Sequence, residues 1–129
     1  MQHQVFVYGL LQRGQGGISL DHLPGAHFKA IAHTHSDNYT MRDLGEFPAV
    51  SQGGMDTIQG ELWNVDDETM SFMDRVEGHP NFYRREIIQT DQGPAWMYQI
   101  NDGSINNYPV VQPPHNQPAS WLTHIKEQK

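Results

Sequence analysis

Two carboxylates near the end of one predicted helix are the side chains best suited to acid–base chemistry. Asp74 and Glu77 lie three residues apart in the helical segment Asp66–Gly78, so they share one helix face. Two effects are expected to raise a carboxyl pKa here. The two carboxylates repel each other, and the C-terminal end of the helix carries a partial negative charge. A Glu with a raised pKa suits proton transfer near neutral pH. Glu77 is therefore a candidate general base or acid, although a solvated residue at a helix end would have the same spacing.

A glycine-rich loop is the second feature that could take part in a reaction. It follows the apolar run Val5–Tyr8 and contains Gly9, Gly14, Gly16 and Gly17. Glycine lets the backbone approach a ligand closely, and converging N–H groups can hold an anion or a developing oxyanion. A tight turn would have the same composition, and neither of the two common nucleotide-binding glycine motifs is present.

Three segments of the chain carry a longer pattern. They read VFVYGLLQRGQ from Val5 to Gln15, GELWNVD from Gly60 to Asp66, and MDRVEGHPNFYRR from Met73 to Arg85. Together they resemble the γ-glutamylcyclotransferase-like (AIG2-like) family, and most of all its γ-glutamylamine cyclotransferase branch. Order and spacing agree over roughly residues 4–100. The motif YG-x-L-x-x-G is much more specific in combination with D-x-x-EG-x-P-x-x-Y-x-R than either motif is alone.

The resemblance implies a particular site. Glu77 matches the catalytic glutamate of the family. The positions that match its substrate loop or frame its pocket are Tyr8, Gly9, Leu10, Leu11, Tyr83 and Arg85. Tyr98, on a later predicted strand, is expected to line the mouth of the same pocket.

The resemblance also implies a reaction, in which a γ-glutamyl amine or γ-glutamyl peptide gives 5-oxoproline and a free amine. The α-amine of the substrate attacks its own side-chain carbonyl, so the protein needs no nucleophile, metal or cofactor. Such intramolecular attack gains from proximity. Glu77 would act as base and then as acid, while amides of the loop hold the oxyanion. The expected partner is thus a small γ-glutamyl substrate.

Two positions depart from the family pattern. Leu10 stands where the family usually has Thr or Ser, and Gly17 stands where it commonly has Asn. These departures leave open a second hypothesis, a non-catalytic protein that captures a small polar metabolite in the same pocket. The presence of Glu77 favours the enzyme.

The composition excludes several other classes of protein. None of the 129 residues is Cys, which excludes a disulfide scaffold, a zinc ribbon, an iron–sulfur site and a thiol nucleophile. The formal charge of -7, without clusters of Lys or Arg, argues against binding to nucleic acid or to a membrane surface. His33 and His35 alternate on a predicted strand, but no third ligand has a recognisable spacing, so no metal site is predicted.

The chain has no apolar run long enough to span a bilayer and no signal peptide at Met1, so we expect a soluble, cytoplasmic protein. Its length predicts a single domain over residues 1–129. Four prolines between Asn106 and Pro118 predict a strap or a loose tail at the C-terminal end. Nothing in the sequence indicates the oligomeric state.

The fold class follows from the order of the predicted elements. Strands are expected over residues 4–8, 27–33, 38–44, 58–65, 82–90 and 94–100, with Pro48 and several glycines as separators. The main helix begins with three acidic residues and ends at Gly78, and Met70, Phe72, Met73 and Val76 should pack on the sheet. Short helical pieces are expected over residues 18–23 and 120–127. The connections are too short for repeated βαβ units, which predicts an α+β fold with a small, bent or barrel-like mixed sheet.

Overall fold

A computed structural model describes residues 2–127 and shows an α+β fold with seven strands and two helices in that range. A short 3₁₀ helix, Leu20–His22, follows the glycine-rich loop. The other elements are β1 (Gln2–Val7), β2 (Ala26–His33), β3 (Tyr39–Asp43), β4 (Pro48–Gln52), β5 (Gln59–Asp66), α1 (Asp67–Glu77), β6 (Arg84–Thr90), β7 (Gly93–Gln99) and α2 (Trp121–Glu127).

The main sheet is mixed and strongly curved, as the sequence predicts. Its strand order is β2-β5-β1-β7-β6, in which β1 and β7 run parallel and the other neighbours run antiparallel. The two outer strands meet at one end, because Thr34 after β2 pairs with Thr90 of β6. The His35 N–H donates to the Gln89 carbonyl there over 2.9 Å. This closure gives the sheet its barrel-like shape, and β3 and β4 form a separate two-stranded sheet beside it.

The central strand β1 divides the apolar interior. Phe6 packs in one cluster with Leu62 and Met97, whereas Val5 and Val7 belong to a second cluster. This division reflects the alternation of side chains along a strand. The second cluster also contains Met70 and Met73 of α1. It therefore holds the main helix against the sheet.

Helix α1 has the ends that the sequence predicts. The Asp66 carboxylate accepts a hydrogen bond from the Thr69 N–H at 2.8 Å, and Gly78 ends the helix with φ of 67°. Met70 and Met73 are buried as expected, but Val76 remains 37% exposed. The expectation for Val76 is wrong because its side chain lines a cavity instead of packing against the sheet.

The prediction also misses one strand. Pro48 begins β4 instead of separating strands, which is possible because the first residue of a strand need not donate a hydrogen bond. The proline-rich segment lies against β3, and we call it the C-terminal strap. Its Pro109 carbonyl accepts a hydrogen bond from Asp43 at 2.9 Å, and its Val111 N–H donates to Met41 at 2.8 Å. Within residues 2–127, neither helix has the length and apolar character needed to cross a membrane.

Candidate active site

A cavity of about 140 Å³ lies between the glycine-rich loop, the end of α1 and the start of β4. It brings together seven of the eight site residues predicted from the sequence; the exception is Arg85. The full lining consists of Phe6, Val7, Tyr8, Gly9, Leu10, Leu11, Ile18, Phe47, Pro48, Val76, Glu77, Phe82, Tyr83 and Tyr98.

Glu77 is the last residue of α1, and its side chain borders the cavity. In the described part of the chain its carboxylate has no hydrogen bond and no ion pair. Burial raises the pKa of Glu77 from its usual 4.5 to about 7. The direction of this shift agrees with the sequence argument, but its cause does not, since repulsion by Asp74 does not contribute. A carboxyl group with this pKa can both accept and return a proton near neutral pH.

Asp74 is held in its ionised form. Burial acts to raise its pKa, but hydrogen bonds from Arg85 and Tyr98 outweigh that effect and lower it. The Arg85 guanidinium donates to both carboxylate oxygens, over 2.8 and 3.1 Å, and the Tyr98 hydroxyl donates to one of them over 2.7 Å. Arg85 also stacks on Trp96. The Arg85 side chain therefore pairs with α1. It does not line the cavity, which is where the sequence predicted it.

Each of the three cavity tyrosines donates a hydrogen bond from its hydroxyl group to another group of the protein. Tyr8 donates to the Tyr98 carbonyl over 2.7 Å and accepts from the Val50 N–H over 3.1 Å. Tyr83 donates to the Pro48 carbonyl over 2.6 Å. Burial raises the pKa of all three phenols well above 10, so they stay neutral. Glu77 is therefore the lining side chain that is suited to proton transfer near neutral pH.

The loop after β1 supplies backbone groups to the cavity. The Gln12 N–H donates to the Gly9 carbonyl over 3.1 Å, which closes a tight turn. Gly9 is required there, because a Cβ atom would lie 2.9 Å from Cγ of Pro48. Among residues 2–127, no acceptor is found for the amide N–H groups of Gly9, Leu10 and Leu11. These amides are candidate donors for a substrate oxygen.

A buried carboxylate anchors this loop to the sheet. Glu61 of β5 is only 4% exposed and accepts from the N–H and Nε of Arg13, over 3.0 and 3.1 Å, and from Trp63 over 3.0 Å. The Arg13 guanidinium lies 3.6 Å from the ring centroid of Phe28. Glu61 lies in the second family segment, but the sequence does not indicate its role. Its partner Arg13 is distant in the sequence, so no local pattern links the two residues.

Several apolar lining residues also go unpredicted. Phe47 and Ile18 come from connections and Pro48 begins β4, and the positions of all three depend on the assembled sheet. Phe82 lies inside the third family segment, yet the sequence gives no sign that it reaches the cavity. Its ring packs edge-on against Phe47, with 6.3 Å between centroids.

His33, which the sequence does not assign to a metal site, does not line the cavity. His33 ends β2, and its Nε2 is 3.6 Å from a carboxylate oxygen of Asp91. In the part of the chain that the structure describes, no three His, Asp or Glu side chains cluster as metal ligands would.

Comparison with known proteins places the chain in a family. The family model described as gamma-glutamyl cyclotransferase, AIG2-like, matches residues 5–123. A predicted gamma-glutamylcyclotransferase of Vibrio cholerae is 35% identical over 99 residues, which cover 76% of this chain and 82% of that protein.

Solved structures agree with this placement. The solution structure of YtfP from Escherichia coli is 27% identical with a TM-score of 0.68, and the match covers 98% of this chain and 99% of that one. A mouse AIG2-like protein has the same fold, with a TM-score of 0.68 at 24% identity over 92% of this chain and 95% of its own. The chain therefore belongs to the gamma-glutamyl cyclotransferase, AIG2-like family.

Proposed function

We propose that this protein converts a γ-glutamyl amine or γ-glutamyl peptide to 5-oxoproline and the free amine, with Glu77 as general base and then general acid. Membership of the family supports a cyclotransferase-like activity. One observation is the basis for assigning the proton transfers to Glu77. The Glu77 carboxylate borders the cavity without a hydrogen-bond partner in the described part of the chain, and its pKa is about 7.

The proposed reaction moves two protons, one after the other, from the α-nitrogen of the substrate to the leaving nitrogen through one carboxyl group. Ionised Glu77 accepts a proton from the α-ammonium of the substrate, and the freed amine attacks the γ-carbonyl carbon to form the ring C–N bond. Protonated Glu77 then gives its proton to the amide nitrogen of the leaving group. The original C–N bond breaks and the carbonyl reforms, while the ionised Glu77 accepts the second proton of the ring nitrogen and passes it to the departing amine. 5-Oxoproline and the amine, as its ammonium ion, then leave. One glutamate thus begins and ends the cycle in the same ionisation state.

The remaining groups of the cavity fit supporting roles. Because the hydroxyl protons of Tyr8, Tyr83 and Tyr98 are already donated to protein acceptors, we assign the oxyanion to the amides of residues 9–11. Tyr8, Tyr83 and Tyr98 shape the walls around the folded substrate. Arg85 is proposed as a positioning residue that acts through Asp74, which lies one turn before Glu77 on α1.

Mass spectrometry of the purified protein with a panel of γ-glutamyl compounds tests this function. We expect 5-oxoproline and the free amine in equal amounts from at least one compound. Glu77→Gln keeps the shape of the side chain and removes the proton transfer, so turnover should fall by about two to four orders of magnitude. Calorimetric binding of the substrate should persist in that variant. Unchanged turnover of Glu77→Gln would contradict the assignment.

Leu10 supports one alternative, a binding protein without catalysis. This side chain lines the cavity at the position where the family pattern usually has a hydroxyl. If the loop works through its backbone, Leu10→Ala should mainly change KM. A binding protein would instead retain a small molecule through purification and release no 5-oxoproline. Activity that appears only in Leu10→Thr would show that the natural chain is such a binder.

A further inference from the structure

We propose that the cavity selects γ-glutamyl amides whose leaving amine carries an uncharged, apolar substituent, a specificity that rests on the function proposed above. The residues that set it are Ile18, Val76 and Phe82. They line the cavity yet remain 37%, 37% and 49% exposed, so they form its mouth. We call these three side chains the apolar rim.

The size of the cavity places the leaving group at this mouth. A volume of about 140 Å³ encloses one compact group, since a protein cavity of about 150 Å³ takes up a molecule the size of benzene. The γ-glutamyl part must curl into a ring-like pose to react, and such a pose uses the enclosed space. The substituent on the amide nitrogen therefore extends outward past the mouth.

The position of Glu77 points the substituent at the apolar rim. Glu77 must reach the leaving nitrogen to protonate it, and Val76 precedes Glu77 on the last turn of α1. Phe82 lies close to the same helix end, since its N–H donates to the Gly78 carbonyl over 2.8 Å. A group on the leaving nitrogen thus contacts Val76 and Phe82 as it leaves the cavity.

The rim offers nothing to pair with a charge. In the described part of the chain, Glu77 is the one acidic or basic side chain that lines the cavity. Two nearby cations are engaged elsewhere: Arg13 pairs with Glu61, and Arg85 pairs with Asp74. Arg75 lines a separate groove beside Gly25. A carboxylate or ammonium on the leaving group would lose water without gaining a partner, whereas an alkyl or aromatic group would bury apolar surface.

Three substrates of similar chain length test this selectivity in the wild-type protein. They are the γ-glutamyl amides of butylamine, of putrescine and of γ-aminobutyrate, whose free ends are apolar, cationic and anionic. We expect kcat/KM for the butylamide to exceed that of both charged amides by roughly tenfold or more. Equal values, or a preference for a charged amide, would overturn the apolar specificity and leave the proposed function standing. Release of 5-oxoproline from none of the three would overturn the apolar specificity, and the full panel of γ-glutamyl compounds would then decide the proposed function.

A charge placed on the rim gives a second, independent measurement. Ile18→Glu should change the ratio between putrescine and butylamine amides by roughly twofold to fivefold in favour of the cation, as an exposed ion pair allows. The matched control is Ile87→Glu, because Ile87 is 59% exposed on β6 and does not line the cavity. The control should leave the ratio unchanged. Equal ratios in both variants would contradict the role of Ile18.

Discussion

At the scale of single residues, Glu77, the proposed proton-transfer group, has a cost to stability. Its pKa is about 7 in the folded protein against 4.5 ordinarily, so the folded state binds the proton more tightly than the unfolded state. Stability should therefore fall as the pH rises from 4.5 to about 7. The ionised carboxylate, which the proposed reaction requires, is the form that the fold disfavours.

Glu77→Gln should remove this pH-dependent cost. Relative to the wild type, the variant should gain roughly 1–3 kcal/mol of unfolding free energy when measurements near pH 8 are compared with those near pH 5. Denaturant titrations of both proteins at the two pH values measure the difference. Comparing the two pH values removes any change in stability that the Gln side chain causes independently of pH. A difference independent of pH would mean that Glu77 titrates at an ordinary pKa.

The cause of the raised Glu77 pKa is a feature that the sequence could not predict. Spacing alone suggests that Asp74 repels Glu77, since the two share a helix face. That repulsion is absent because Arg85, eleven positions after Asp74, neutralises the Asp74 carboxylate. The direction of the Glu77 pKa was predictable from the helix, whereas its cause depends on burial in the assembled cavity.

At the scale of elements, the contacts of Asp74 fix the last turn of α1 to the sheet. They join the helix to Arg85 on β6 and to Tyr98 on β7. Asp74→Asn should lower the unfolding free energy by roughly 1–3 kcal/mol, because Arg85 loses its ionic partner in a partly buried position. It should also lower kcat by roughly tenfold as Glu77 moves.

Glu68→Gln is the matched control, since Glu68 is exposed on the first turn of the same helix. Denaturant titration and steady-state kinetics measure the two effects. The stabilising effect of Asp74 is present at neutral pH and should disappear as the pH falls through its lowered pKa. Equal kinetics in Asp74→Asn and Glu68→Gln would contradict the positioning role.

Glu61 holds the glycine-rich loop through two hydrogen bonds from Arg13, and two variants remove either one or both of them. Arg13→Ala removes the Nε hydrogen bond but leaves the backbone N–H of residue 13 on the carboxylate. Glu61→Ala removes both and leaves the Trp63 N–H without its acceptor. We expect KM to rise by roughly threefold in the first variant and by tenfold or more in the second, since loop amides lose their position. Equal KM values in the two variants would contradict this anchoring.

Elements were predictable where their signals are local. Helix α1 carries its capping residue, its acidic first turn and its terminal glycine within its own sequence. Strand β4 has no such signal: Pro48 resembles a separator, and the strand exists because β3 pairs with it. The same limit applies to the cavity mouth, where Phe47 and Ile18 come from connections that only the folded sheet brings together.

At the scale of the whole molecule, the C-terminal strap and α2 complete the interior. Trp121 of α2 is 3% exposed and belongs to the same apolar cluster as Phe6 of β1. The Ala119 N–H donates to Thr57 over 2.8 Å, just before β5. We propose on this basis that the chain unfolds as one domain.

Trp121→Ala should lower the unfolding free energy of the entire protein by about 3–5 kcal/mol. Tyr108→Ala serves as the control, since Tyr108 is 44% exposed and its contact with Arg42 uses the backbone carbonyl. Circular dichroism and tryptophan fluorescence should report one shared transition in the wild type and in both variants. Separate transitions for the two probes would argue for independent units.

The pH dependence of kcat/KM for 5-oxoproline release is the sharpest test of Glu77 as the proton-transfer group, because it reports the ionisation of a required base in the free enzyme. We expect kcat/KM to fall with decreasing pH around a midpoint near 7, where Glu77 becomes protonated. Glu77→Gln should lack that midpoint in whatever activity it retains. A wild-type profile that stays flat down to about pH 5, or a midpoint near 7 that survives in Glu77→Gln, would contradict the assignment of Glu77 as the proton-transfer group.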